Sequence, residues 1–201
     1  MLLPAEEAVG AAHGAGGGFR YLIFQSPEVI NCRATRLACV EMQNRREQKK
    51  GFMDVKATDL TQRPPRSPRV HLGGYVTLPR MLDKCRATIA GKQGEYKYAC
   101  PLDQRLLQCV GIDPGDLKNE VATGKGDGEF LQWIEAHAKN KHTETEIRAW
   151  SSYQEQRVPT DVESRQFLHE LHSRVAPKRT DIATWFDLLD LDDYVSFGGQ
   201  P

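Results

Sequence analysis

The sequence predicts an all-α protein, an orthogonal multi-helix bundle of about seven helices. Three observations point there. From residue 75 onward, apolar side chains recur every three or four positions, as they do on helices that bury one face. Helix-start devices are frequent in the same region: Pro79, Pro101 and Pro114 at first-turn positions, Thr143 followed by Glu146, and Thr160 followed by Glu163. The links between periodic segments are short, and no repeat of fixed period appears, which excludes a long coiled coil or a solenoid.

Each element has its own warrant. Residues 75–90 place Tyr75, Leu78, Leu82 and Ile89 at helical intervals, with Pro79 marking where the first turn begins. Gly91 and Gly94 end that segment. Glu95, Tyr96, Lys97 and Tyr98 then alternate, which suggests one short hairpin near residues 95–98 with both tyrosines on one side. Pro101 opens a helix whose apolar side is Leu102, Leu106, Leu107 and Val110, and Gly111 stops it. Asp113 is an N-cap, Pro114 suits N1, and the short helix that follows uses Leu117 and Val121. Residues 128–139 carry Phe130, Leu131, Trp133 and Ile134. The next helix carries Ile147, Trp150 and Tyr153, and the one after it Phe167, Leu168, Leu171 and Val175 before Pro177. Residues 180–194 form the last helix, with Ile182, Trp185, Phe186 and Leu189 as its apolar stripe.

A chain of 201 residues, 39% hydrophobic and 27% charged, can bury a core of its own. Residues 1–52 differ from the rest. Residues 8–18 are mostly Gly and Ala, residues 21–24 are an apolar patch without periodic support, and residues 33–50 have no convincing stripe. The expectation is a single helical domain over residues 53–201, preceded by a disordered or loosely packed extension. Five cysteines, an odd number without a CxxC pair, favour a reducing cytoplasmic setting over a disulfide scaffold. No apolar run reaches the roughly twenty residues that a membrane span needs, and no secretory signal pattern is present.

The formal net charge of zero conceals a split. Residues 60–110 hold nine Lys or Arg against three acids, a balance of +6, whereas the last twenty residues hold Asp187, Asp190, Asp192 and Asp193 and no base. The basic half centres on residues 63–86. Pro64, Pro65 and Pro68 stiffen an extended arm that carries Arg63, Arg66 and Arg69, and a Gly73–Gly74 turn follows. Arg80 and Lys84 lie one turn apart on the next helix. Arginine forks suit phosphate and carboxylate alike, so Arg66, Arg69, Arg80 and Lys84, with Tyr96 and Tyr98, are the candidate ligand-binding set. The competing account is that the arm is pinned by pairing with acids, the terminal aspartates included. Both accounts are compatible with one structure.

Other chemistry has less support. Asp83, Asp103 and Tyr75 are the candidate catalytic groups, but carboxylates at helix starts and on exposed faces are usually structural. His169 and His172, and separately Asp190 and Asp193, are the candidate metal ligands. The spacing matches no metal motif, and no metal or other cofactor is expected. The segment GKGDG at residues 124–128 lacks the phosphate-loop spacing and reads as a turn. Nil overall charge and the lack of any DNA- or RNA-binding signature argue against nucleic acid as a partner.

Four blocks carry a family resemblance: DLTQRPPRSPRVHLGGYVTLPRMLDKCRA, GEYKYACPLDQRLL, WSSYQEQR and APKRTDIATWFDLLDLDDY. Over residues 59–194 they resemble the uncharacterised bacterial family DUF5069. The resemblance implies that Arg66, Ser67, Pro68, Gly73, Gly74, Pro79, Arg80, Asp83, Lys84, Asp103, Trp185 and the aspartates from Asp190 to Asp193 sit at motif positions. Cys85 departs from the small residue expected there, which weakens any role for it as a nucleophile. No activity comes with the family. The leading expectation is a module that binds a small anion or an acidic protein segment. The alternatives are a small hydrolase, lyase or transferase acting on a phosphorylated or carboxylated substrate, and a structural homo-oligomer.

Overall fold

Seven helices, connected by short links, make up most of residues 55–201, which the computed structural model describes. They are α1 Leu78–Ala90, α2 Pro101–Val110, α3 Pro114–Val121, α4 Asp127–His137, α5 Glu144–Glu155, α6 Val162–Val175 and α7 Trp185–Ser196. No strand occurs among the described residues; the one β-bridge joins Leu72 to Tyr75 across the Gly73–Gly74 turn. The extension expected over residues 1–52 lies outside the described residues.

Start and stop chemistry sets the helix ends. Asp113 caps α3 by accepting hydrogen bonds from the amides of Gly115 and Asp116, at 2.7 and 3.3 Å. Thr143 and Glu146 form a reciprocal box at α5: the Thr143 amide donates to Glu146 Oε2 at 2.7 Å and the Glu146 amide to Thr143 Oγ1 at 3.3 Å. Two starts differ from the sequence expectation. Asp161, not Thr160, caps α6 by accepting from the Ser164 amide at 2.8 Å, because its carboxylate sits one residue closer to the first free amides. The last helix begins at Trp185, where Thr184 and Asp187 form the box, and residues 180–183 lie outside it as an irregular lead-in from which Ile182 still reaches the core.

The hairpin expected near residues 95–98 is also absent, and two consecutive turns take its place. Ala99 adopts a left-handed φ of 56°, unusual for a residue with a Cβ, and it reverses the chain into α2. Tyr96 is buried and donates its hydroxyl proton to Asp193, while Tyr98 donates to the Pro114 carbonyl at 2.7 Å, so the two tyrosines have different partners.

Two main apolar cores result, beside a small cluster of Leu60, Ala87 and Tyr96. The larger one joins α1, α2, α3 and α4 through Leu78, Leu82, Leu106, Leu117, Val121 and Phe130. The smaller one joins α6 and α7 through Leu171, Leu188 and Leu191, with Phe167 and Trp185 at its edge. Glycine is required at the turn before α1. Gly73 has φ +58°, and a Cβ there would come within 2.3 Å of Leu131. Ser151 of α5 closes the same turn, donating to the Gly74 carbonyl at 2.7 Å and accepting from the Val76 amide at 3.2 Å.

Candidate functional site: a cleft between the two cores

The basic arm is neutralised at Arg66 and Arg69, while Arg63 donates to the Thr58 hydroxyl instead of a carboxylate. Arg66 forks onto Asp83, with Nε to Oδ2 at 2.8 Å and Nη2 to Oδ1 at 2.7 Å, and its Nη1 reaches Asp127 Oδ2 at 2.6 Å. Burial works against the charge of Arg66, but the bonds to Asp83 and Asp127 outweigh it and raise its pKa above the ordinary arginine value. Arg86 shares Asp127 at 2.7 Å, so the aspartate of GKGDG ties α4 to α1. Burial likewise acts upward on Asp127, yet the hydrogen bonds from Arg66 and Arg86 hold it below the usual carboxylate range. Arg69 pairs with Asp187 at 2.5 Å and approaches Asp190 at 3.6 Å, while Ser67 donates to Asp190 at 3.1 Å. From Arg66 on, the geometry displays the arm-pinning account: Asp83 and Asp127 receive Arg66, and the terminal aspartates of α7 receive Arg69 and Arg80.

Deeper pairs complete the layer. Arg80, 4% exposed, donates to Asp193 at 2.6 Å and to the Arg66 carbonyl at 3.1 Å, and its guanidinium lies over the Tyr96 ring. Lys84, 3% exposed, donates to Asp103 Oδ1 at 2.7 Å and contacts Cys100 Sγ at 3.2 Å. Asp103 is fully buried, and its Oδ2 has no hydrogen-bond partner.

Above this floor lies a cleft of about 1040 Å³, between the two cores, within the size range of small-molecule sites. Arg80, Lys84, Tyr96 and Tyr98 reach it from below. Leu102 and Arg105 of α2, with Cys100 and Pro101 at its start, form one wall. Tyr153, Arg157 and the link into α6 form another, and Phe167, Trp185 and Leu189 form the third. Cys100 offers α2 no side-chain cap, and the first residues of that helix, Pro101 and Leu102, line the cleft.

Sequence reasoning missed three cationic residues here, Lys97, Arg105 and Arg157, which line the cleft together with Asp161, Glu163 and Asp192. Arg105 and Arg157 both line the cleft, and neither makes an ion pair with a carboxylate among the described residues. Burial, then the charge of Arg105, pushes the pKa of Arg157 below the ordinary arginine value. Asp161, also on the rim, is engaged in capping α6. Arg105 and Arg157 stood inside two of the quoted blocks, ACPLDQRLL and WSSYQEQR, but nothing in their spacing brings them together.

Of the expected site residues, Arg80, Lys84, Tyr96 and Tyr98 meet at the cleft, whereas Arg66 and Arg69 are not part of its lining. Asp83 is held by Arg66, and Tyr75 packs edge-on against Trp150 in the larger core. His169 is exposed and His172 half-buried, and no group of three or more His, Cys, Asp or Glu residues converges into a metal-binding arrangement among the described residues. Cys85 is buried in the larger core, and burial pushes its thiol up to about 12.

Fold and site together define a small all-α protein with an ion-paired layer beneath a cation-rimmed cleft. The pattern of the family described as "Domain of unknown function (DUF5069)" matches residues 62–195, and the chain belongs to that family. No curated protein matches the chain. None of the helices among the described residues is long and apolar enough to cross a membrane.

Proposed function

We propose that the protein binds a small anionic molecule in the cleft between its two cores. One observation carries this reading: among the described residues Arg105 and Arg157 line the cleft without an ion pair to a carboxylate, while Arg66, Arg69, Arg80 and Lys84 are all neutralised internally. Two like charges held near each other repel, and an anion between them relieves that repulsion. The expected role of Arg80 and Lys84 changes accordingly. They support the floor and hold Tyr96 and Cys100 in place, and the contact to ligand passes to the rim. The setting that fits the three free cysteines among the described residues is a bacterial cytoplasm.

The test is a thermal-shift screen of anionic metabolites on the native chain and on Arg157→Gln. A ligand that binds the folded state raises the melting temperature by mass action. Stabilisation by an anion that disappears in the variant supports the reading. Equal stabilisation of both proteins places the ligand elsewhere and defeats it.

A second reading, an enzyme acting on a phosphorylated or carboxylated substrate, draws on the buried Lys84–Asp103 pair beside Cys100 and on the unpartnered Oδ2 of Asp103. Buried charged groups next to a cleft are where reactive chemistry is often found. Lys84→Met separates the two readings: a module keeps its ligand affinity, whereas an enzyme keeps affinity and loses turnover.

A further inference from the structure

Resting on the anion-binding reading above, the geometry points to a ligand class: we infer that the cleft takes a phosphate monoester of a planar aromatic or heteroaromatic group, the size of a nucleotide. The anchor is the juxtaposition of Arg157 and Trp185. The Trp185 amide donates to the Arg157 carbonyl at 3.0 Å, which fixes the start of α7 against the link that follows α5. A guanidinium and an indole thus face the same space, held together by backbone.

Three further features specify the two halves of the ligand. On the anionic side, Arg105 and Arg157 supply two forked cations, and the first turn of α2, which has no side-chain cap, lies on the wall that carries Arg105. That many donors exceed what a carboxylate's two oxygens can use, but they suit the three terminal oxygens and higher charge of a phosphate monoester. On the apolar side, Tyr153, Phe167 and Trp185 line the walls, and no ring–ring contact within the protein involves any of them among the described residues. Tyr153 is 62% exposed, a costly position for an aromatic ring that has no partner. Ala99, one of two non-glycine residues with positive φ among the described residues, also lines the cleft, at the turn into α2.

The experiment uses the full chain and calorimetric titration with four probes: phenyl phosphate, benzoate, phenol and inorganic phosphate. Phenyl phosphate is expected to bind about tenfold or more tightly than each of the others, since it alone meets both halves of the site. Arg157→Gln and Arg105→Gln are each expected to weaken it about tenfold, with Arg157→Lys recovering part of the loss. Phenyl phosphate should also quench tryptophan fluorescence in the native chain but not in Trp185→Phe, although Trp133 and Trp150 remain. Benzoate binding as tightly as phenyl phosphate overturns the phosphate assignment while leaving an anion site in place. Inorganic phosphate binding equally well overturns the aromatic half. Binding of no probe, or binding unchanged in both arginine variants, removes the inference; if the wider anion screen is also blank, the anion-binding reading fails with it.

Discussion

Two groups of cations in this molecule have opposite electrostatic states. The inner group, Arg66, Arg69, Arg80 and Lys84, is matched almost one to one by Asp83, Asp127, Asp187, Asp193 and Asp103. The rim group, Arg105 and Arg157, has no such partner among the described residues. Inner cations hold the arm, α1, α4 and α7 in register; the rim cations hold no carboxylate among the described residues, and the one side-chain bond among them, Arg157 to the Gln154 side-chain oxygen, is long at 3.4 Å. The abundance of arginine in a sequence therefore says little about binding until the acids have been assigned. Stability should depend on the inner group and ligand affinity on the rim.

The largest effect that could break this comparison is expected at Arg80. Arg80→Met removes one half of a buried pair and strands the Asp193 carboxylate beside the Tyr96 hydroxyl. Stranding a buried charge typically costs about 3–5 kcal/mol, which urea unfolding would register as a large drop in midpoint. The double variant Arg80→Met, Asp193→Leu should recover much of that loss, because no charge is then left without a partner. A single variant that unfolds at the native midpoint would mean that the inner group does not carry the fold.

An intermediate effect tests the acids. Asp127 accepts from both Arg66 and Arg86, and its pKa is lowered in the folded state. Its contribution is therefore present above the unfolded value of 3.8 and is lost as pH falls through the folded value. Asp127→Asn should cost roughly 1–2 kcal/mol at neutral pH and flatten the acid side of the stability profile. Asp190 has the opposite sign. Its burial outweighs the bond from Ser67 and the charges of Arg80 and Arg69, so its folded pKa is raised. The penalty appears as pH rises through that folded value and is absent below 3.8. Asp190→Asn should accordingly increase stability at neutral pH and not in acid. A matched pair of denaturation series at the two pH values would expose any error in this assignment.

Much of this fold was readable in the sequence, because each helix repeats its own evidence. Period and a first-turn Pro agree for α2 and α3, with Gly111 stopping α2 and Asp113 capping α3, and for α5 the period agrees with the Thr143 cap. The errors lie where two signals compete within a residue or two. Thr160 and Asp161 are adjacent potential caps, and only backbone geometry chooses between them. Ile182 extends an apolar stripe in front of α7 although it is not helical. The tyrosines of residues 95–98 alternate like a strand, but without a neighbouring strand no ladder forms, and Ala99 turns the chain instead. For the site, the opposite charge of the two halves of the chain was visible, and so was their tendency to pair. Which arginines would be left over was not, since Arg105 and Arg157 are fifty-two positions apart and meet only because α5 and its following link pack near α2.

The smallest expected effect is also the sharpest test of the comparison. Arg105→Gln and Arg157→Gln should each leave the unfolding free energy within about 0.5 kcal/mol of the native chain, as for surface positions that support no packing or pairing. At low ionic strength the change should be toward greater stability, because either substitution removes the like-charge repulsion between the two, which burial at Arg157 makes worse. Added salt should shrink that gain, since the Debye length falls from about 30 Å at 0.01 M to about 10 Å at 0.1 M. Losing a cation from the inner group would then destabilise the protein, while losing one from the rim would not. If Arg157→Gln instead unfolds as readily as Arg80→Met, Arg157 has a structural partner, and the unpaired charge that distinguishes the rim from the layer beneath it does not exist.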